Sequence, residues 1–297
     1  MFEVRSRRTG LRCALRIHRP AFRTVAQTRS ELEFLEHAHD RLEGTRVTVP
    51  RPVRTPGGDL VVEPDATRHC DLLTWVDGRV LRPSRGLGPR GAHALGEALG
   101  RLHAIASEFE TPAGFELPRW DADAMFSAAS PFRPGRLEDA FRADDRKLFE
   151  EVAERTRLVF QRLDQTEDAT GLIHADFILL NCHLLRRADG WQVGVIDFDD
   201  LGWGYFLYDL CPLLGNLFEF PRYSTMREAF LAGYRSVRRL PRDVEVHLPV
   251  LMAARHAVAC VWLAGLHRTT GSGPPLEEHI AYRMEQIRGC LAAAERR

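Results

Sequence analysis

Residues 2 to 19 alternate apolar and polar with a period of two. Leu11, Cys13, Leu15 and Ile17 share one face of an extended chain, and Arg12, Ala14, Arg16 and His18 the other. Thr9-Gly10 supplies a turn, so residues 2–7 and 11–18 are predicted to form a hairpin, which Pro20 stops. The period then becomes helical, from Thr24 to Arg41. Leu35, Ala38 and Leu42 form the apolar stripe, and Glu31 lies on it one turn earlier. A carboxylate at the edge of a buried face needs a cationic partner, and Arg16 is the candidate. Residues 44–58 read as a loop around a short strand, 47–49. Further strands are expected at 60–62 and 71–76, the last ended by Asp77-Gly78. From residue 79 the pattern is mainly helical. A loop at 82–91 leads into a helix over 92–107, with Leu95, Leu99, Leu102 and Ile105 inward and His103 at the edge of that face. An irregular stretch fills 110–136, and charged amphipathic periodicity runs from Asp139 to Leu163. Helices are expected at 224–238, 242–267 and 276–293, the last two separated by a linker over 269–275. A β-rich front and a helical rear make this an α+β chain.

The densest chemistry lies at 171–200, GLIHADFILLNCHLLRRADGWQVGVIDFDD. Two apolar runs flank Asp189-Gly190, a strong two-residue hairpin signal. With that pair as the turn, Asn181 falls within one residue of Asp197 across the ladder, where opposed residues stand roughly 5 Å apart at Cβ. Asp176 lies on the loop entering the hairpin. Two carboxylates and an amide around one cleft suit Mg2+ and a phosphate better than zinc.

Composition changes this picture little. The 297 residues are 44% hydrophobic and 28% charged with zero formal net charge, so nothing global points to nucleic acid or an anionic membrane. Lys147 is the single lysine, so a catalytic lysine has almost nowhere to be. Six scattered cysteines without a Cys-x-x-Cys, and an N-terminus without an apolar run after its charges, fit a reduced cytoplasmic protein. The apolar run from Val250 to Leu266 contains Arg255 and His256 and is expected to be a core helix rather than a membrane span.

HADFILLN followed by VIDFDD resembles the His-x-Asp-(x)4-Asn and Ile-Asp-Phe-Asp motifs of the aminoglycoside phosphotransferase and choline-kinase-like family, which has the protein-kinase-like fold. ALRIHRP with RSELEFL is similar to that family's third strand and following helix. The resemblance implies a bilobal fold, with an N-lobe over 1–76 and a C-lobe over 77–297 holding the catalytic loop, metal site and acceptor pocket. It implies an ATP- and Mg2+-dependent kinase acting on a small-molecule hydroxyl. Asp176 takes the catalytic position, and Asn181 and Asp197 the metal positions. Ala14, Arg16, Glu31, Thr74 and Val76 take nucleotide-binding positions, with Arg16 standing where the family has Lys. His174 and Asp209 are structural, Asp209 tying the catalytic loop in place, while Asp199 and Asp200 either bind a second cation or, as favoured, cap the turn or face solvent.

The sequence also departs from the family. Few residues precede Arg16, so the first strand and the glycine-rich phosphate cover are expected to be short or absent. Ala175 stands where Gly is usual. Ile178 replaces a common His, and Leu179-Leu180 a common Pro-Gly. FDDLGWGYFLYDL looks most like the stress-kinase-like branch, which keeps a protein Ser/Thr acceptor among the alternatives. A nucleotide-binding pseudokinase or regulatory module is another. A third is an Fe(II) oxygenase, since His174-x-Asp176 is half of a facial triad. That site needs a jelly roll and a distal strand histidine, whereas His247, His256, His267 and His279 fall on predicted helices or their ends.

Overall fold

The computed structural model describes residues 1–18, 23–65, 67–81, 86–126, 141–218, 221–270 and 276–296. The expected stop at Pro20, the first part of the 82–91 loop and most of the 269–275 linker lie outside the described residues.

In chain order, strands β1 (Phe2–Arg5) and β2 (Arg12–Ile17) precede helix α1 (Val25–Leu42). Strands β3 (Val47–Thr48), β4 (Val62–Asp65), β5 (Arg68–Thr74) and β6 (Arg79–Val80) lead to α2 (Pro89–Glu108). Strand β7 (Arg119–Trp120), α3 (Ala122–Phe126) and α4 (Ala143–Leu163) come next. Strand β8 (Thr170–Ile173) enters the motif region, followed by β9 (Cys182–Arg187), β10 (Gly190–Val195) and β11 (Gly202–Tyr205). Helices α5 (Phe206–Asp209), α6 (Cys211–Phe218), α7 (Tyr223–Arg235), α8 (Val244–Thr270) and α9 (Leu276–Glu295) complete the chain.

The chain forms two compact units. The first comprises Met1–Pro118, Leu172–Gly202 and Asn216–Arg239, the second Arg119–Gly171, Trp203–Gly215 and Leu240–Arg297. In the first unit one sheet has the order β1-β2-β5-β4 and another β3-β10-β9-β6. The β9–β10 hairpin therefore belongs to the same unit as β2 and α1.

Helix α1 begins at Thr24 with a capping box. The Thr24 hydroxyl accepts from the Gln27 amide at 3.0 Å, and the Gln27 side chain accepts from the Thr24 amide at 3.2 Å. Its buried stripe is the expected one: Leu35, Ala38 and Leu42, with Glu31 at 0% exposure. At its C-terminal end β2 buries its polar face. Arg16 and His18 are buried, whereas Ile17 is 45% exposed, because the polar face carries an ion network that α1 covers.

Helices α2 and α7 approach closely enough to need glycine. A Cβ on Gly96 would collide with the Phe230 carbonyl oxygen, and one on Gly233 with the His93 carbonyl oxygen. Both obstacles are backbone and cannot swing away. Gly96→Ala is expected to cost at least about 1–3 kcal/mol of folding stability, read as a lower midpoint in urea.

In the second unit β7 and β11 pair in parallel, Trp203 opposite Arg119. The core is aromatic. Phe160 stacks on Tyr205 at 3.9 Å between ring centroids, and the Tyr205 hydroxyl donates to Asp164 at 2.7 Å. Helix α8 is long and apolar enough to cross a membrane, but it packs on α4, α5 and α9 and most of its apolar stretch is buried. It is a core helix, as its internal Arg255 and His256 suggest.

Several boundaries differ from expectation. The strand expected at 60–62 starts only at Val62, and Leu60 and Val61 are buried outside it. The strand expected at 71–76 runs from Arg68 to Thr74. Helix α2 begins inside the expected loop, at Pro89, a residue suited to a first helical turn. Helix α4 runs from Ala143, the expected start at Asp139 lying outside the described residues, and α8 continues into the expected linker, to Thr270. The irregular 110–136 region contains β7 and α3 in its described part. The hairpin turn is Ala188-Asp189, not Asp189-Gly190, and Gly190 opens β10 with φ +144°. Arg187 pairs with Gly190 and Cys182 with Val195, so Asn181 meets Ile196, and Asp197 is the next residue out. The strand-end Gly190 takes a positive φ, whereas neither turn residue, Ala188 or Asp189, does.

Candidate active site

The loop leaving β8 places His174 between the two runs of the motif. His174 Nε2 donates to the Ile196 carbonyl oxygen at 3.1 Å, and the Asp176 amide donates to His174 Nδ1 at 3.3 Å. One nitrogen gives and the other accepts, so the neutral imidazole with its proton on Nε2 braces the loop against β10. Its ring packs against Phe177 and Phe198. Ala175, the residue after it, has φ +61°. That left-handed conformation costs roughly 1 kcal/mol or more for a residue with a Cβ, which is the physical sense of a glycine there.

Asp176 and Asn181 are in direct contact. The Asn181 amide group donates to the Asp176 carbonyl oxygen at 2.9 Å and to Asp176 Oδ2 at 3.0 Å. Both bonds use the nitrogen, so the amide oxygen remains as a hard donor. A short 3-10 turn over Leu179–Asn181 carries the asparagine, and the side-chain oxygen of Asn216 accepts from the Leu179 amide at 2.8 Å. Asn216 therefore holds this loop, and nothing in the motif announces it.

Asp197 ends the hairpin with φ +65°, a second non-glycine residue in the left-handed region. Such strain concentrates at functional sites. Solvent reaches its carboxylate, yet protein surrounds most of it. Burial, then Asp199, and more weakly Asp176, push its pKa up, with Arg16 pulling the other way. The register predicted Asn181 and Asp197 across from each other within one residue, and that is their placement.

Arg16 sits at the centre of a buried ion network. Its Nε donates to Asp71 Oδ1 at 2.9 Å, and its Nη1 to Glu31 Oε1 at 2.7 Å and to Asp199 Oδ1 at 2.9 Å. Burial works against the cation, but Glu31, Asp71 and Asp199 outweigh it and hold its pKa well above the ordinary value. Burial also pulls Asp71 upward, but bonds from His18 and Arg16 prevail and leave it lowered. Glu31, fully enclosed, is held up by desolvation. Arg23 adds a second cation, 3.8 Å from Glu31, and donates to the Leu201 carbonyl oxygen. The predicted Arg16–Glu31 pair is thus present. Asp71 and Asp199 were missed as its partners, and Asp199 neither caps a turn nor simply faces water.

The remaining candidates fall as follows. Ala14 lies opposite Leu73 on the same face of β2 as Arg16. The Thr74 amide donates to the Arg51 carbonyl oxygen and the Trp75 amide to that of Arg12, so the sheet uses both. The Val76 carbonyl oxygen lies 3.0 Å from His183 Nδ1, and Val76 packs where a side chain on Gly194 would stand. Between β1 and β2 lie Ser6 to Leu11, with Gly10 the only glycine. Asp209 belongs to the second unit, fully buried at the end of α5. His247, His256 and His267 lie on α8 and His279 on α9, so none of these four is the strand-borne histidine an oxygenase triad needs.

Among the described residues no group of three or more His, Cys, Asp or Glu side chains forms a metal cluster. Mg2+ does not ask for one, since it binds through one or two carboxylates with phosphates and water completing the shell. The donor set of Asp197 with the Asn181 oxygen, and a carboxylate destabilised by two like charges, fits such an ion.

The family model described as "Phosphotransferase enzyme family" matches residues 1–245. A homoserine kinase of Methylobacterium nodulans is 30% identical over 74% of this chain and 65% of its own. The chain spans about two thirds of the length of the first curated relatives it matches. A solved microcompartment-associated aminopropanol kinase is 28% identical, with a TM-score of 0.72 over 97% of this chain and 86% of that one. An amicoumacin kinase in complex with AMP-PNP, Ca2+ and Ami shares the fold at 20% identity, with a TM-score of 0.75 over 97% and 84%. The chain belongs to the phosphotransferase enzyme family, kinases that move a phosphoryl group onto a hydroxyl, and has their mixed α and β, protein-kinase-like fold.

Proposed function

We propose that this chain is an ATP- and Mg2+-dependent kinase that phosphorylates the hydroxyl of a small molecule. The observation that carries the reading is the contact of Asn181 with Asp176 at 3.0 Å, beside the strained and carboxylate-crowded Asp197. In this reading Asp176 orients the acceptor hydroxyl and takes its proton. Asn181 and Asp197 hold Mg2+, which when bound neutralises charge on the phosphates. Arg16, steadied by Glu31, meets phosphate oxygens with a charge that no physiological pH removes. Ala14 and the backbone of Thr74 to Val76 line the nucleobase position. His174 braces the loop, and Asp209 is structural. Residues 1–76 act as the nucleotide lobe and 77–297 as the lobe bearing the catalytic loop and acceptor pocket.

The acceptor is read as a small hydroxyl compound because the relatives are named for such substrates, homoserine and aminopropanol among them. The test is a titration of Mg·AMP-PNP into wild type and Asp197→Ala, followed by ADP release with a panel of amino alcohols and hydroxy amino acids. Wild type is expected to bind in a Mg2+-dependent way and Asp197→Ala to lose that dependence. Equal binding with and without Mg2+ in the wild type defeats the metal assignment. The short β1–β2 turn with one glycine favours a second reading, a nucleotide-binding regulatory module. Stabilisation by Mg·ATP with no ADP release on any acceptor selects it.

A further inference from the structure

We propose that Asp71, backed by His18, is a positioning residue that orients the Arg16 guanidinium for nucleotide phosphate. The inference rests on the nucleotide-binding reading above and deepens it.

Arg16 and Asp71 are cross-strand partners on β2 and β5. Asp71 grips Arg16 Nε with both oxygens, at 2.9 and 3.2 Å. A lysine has no such nitrogen, so Asp71 serves an atom that exists only because arginine stands here. Its Oδ2 also meets His18 Nε2 at 2.6 Å. His18 stacks on His69, rings 4.4 Å apart and 9° from parallel, and His69 Nε2 lies 2.9 Å from the Thr28 hydroxyl on α1. The carboxylate is thus braced by β2, β5 and α1 together, at 0% side-chain exposure.

A guanidinium is a rigid plane with donors on three edges. Asp71 holds the Nε edge. Glu31 and Asp199 share Nη1, and Nη2 is buried without a hydrogen-bond partner. Of the three carboxylates, Glu31 and Asp71 have fully buried side chains and Asp199 a 38% exposed one. Asp199 is therefore the partner an incoming phosphate displaces. A phosphate in its place faces Nη1 and Nη2 together, the geometry of a bidentate fork. Once Asp199 has left, only Glu31 and Asp71 stop the plane from turning. Asp71, on the edge opposite to the phosphate, sets the direction of Nη2.

The experiment is a double-mutant cycle in the full chain, read by calorimetric titration with Mg·AMP-PNP. Asp71→Asn is expected to raise Kd about 10-fold or more, the scale of one charged hydrogen bond. Arg16→Lys weakens binding as well. In the Arg16→Lys background Asp71→Asn is expected to have no further effect, since the nitrogen it serves is gone. A merely structural Asp71 would instead raise Kd by the same factor in both backgrounds, and that result overturns the proposal. So does an unchanged Kd for Asp71→Asn. If the Asp71 variant does not fold, His18→Asn serves in the same cycle. Its smaller loss must vanish beside Arg16→Lys, and a loss that persists overturns the proposal too. A wild type that fails to bind Mg·AMP-PNP refutes the nucleotide reading itself, whereas wild-type binding with an additive cycle refutes only the role of Asp71.

Discussion

Asp176→Asn is expected to bind Mg·AMP-PNP as the wild type does and to release ADP roughly 10²- to 10⁴-fold more slowly, the range of a positioned general base. The substitution keeps the shape of the side chain, so the loop has little reason to move. The Asp176 carbonyl oxygen still accepts from Asn181, and the Asp176 amide still donates to His174. What disappears is the one charge placed to aim and deprotonate an acceptor. Single-turnover ADP release beside the calorimetric Kd separates the two effects. An Asp176→Asn enzyme with full turnover would remove Asp176 from the chemistry.

Arg16→Met is expected to be the most destabilising single change in the first unit. It leaves Glu31 and Asp71 buried without their shared cation, and breaking a buried ion pair in this way costs about 3–5 kcal/mol. Total folding free energies are about 5–15 kcal/mol, so the loss is a large fraction of stability. The sign of the pH dependence distinguishes this cause from lost packing. In the wild type Asp71 has a lowered pKa. Its contribution is complete above the ordinary carboxylate value of about 4 and fades as pH falls through the folded value. In Arg16→Met, Asp71 keeps only His18 of the partners that lower it and Glu31 loses its nearest cation, so the neutral forms of both are favoured more than in the wild type. That variant is expected to gain stability relative to wild type as pH falls from 7 towards 5. Urea midpoints of both proteins across that range provide the measurement. A gap between them that does not change with pH would assign the loss to packing alone.

The two ends of the ion network show how far sequence reasoning reaches. Glu31 falls on the buried stripe of a helix whose period is plain, and a buried carboxylate demands a cation. Arg16 lies on a polar strand face only 15 residues away, so the pair is legible. Asp71 and Asp199 lie 55 and 183 residues from Arg16 and mark themselves by no local pattern. Their role depends on which strand lies beside β2 and on where the β9–β10 hairpin ends. The same holds for Asn216, 37 residues from the amide it anchors, and for His183, 107 residues from the carbonyl oxygen of Val76.

The hairpin shows the limit on a finer scale. Asp189-Gly190 announces a turn correctly, but the glycine sits at the start of β10 and the ladder is offset by two residues. An offset of two keeps every side chain on its face, since the period of a strand is two. Asn181 and Asp197 therefore stay neighbours although the turn was misplaced.

By itself the sequence determined most of the longer helices, the hairpin that joins an amide to a carboxylate, the loop that presents Asp176, and the family. These depend on periodicity, turn residues and contacts between residues close in the chain, all of which are written locally. Only the tertiary structure decided that three carboxylates share Arg16, and that Ala175 and Asp197 take left-handed backbone conformations. Those outcomes arise from packing between elements distant in sequence, where closing the long loops is entropically similar for many pairings and the close-packed interior selects among them.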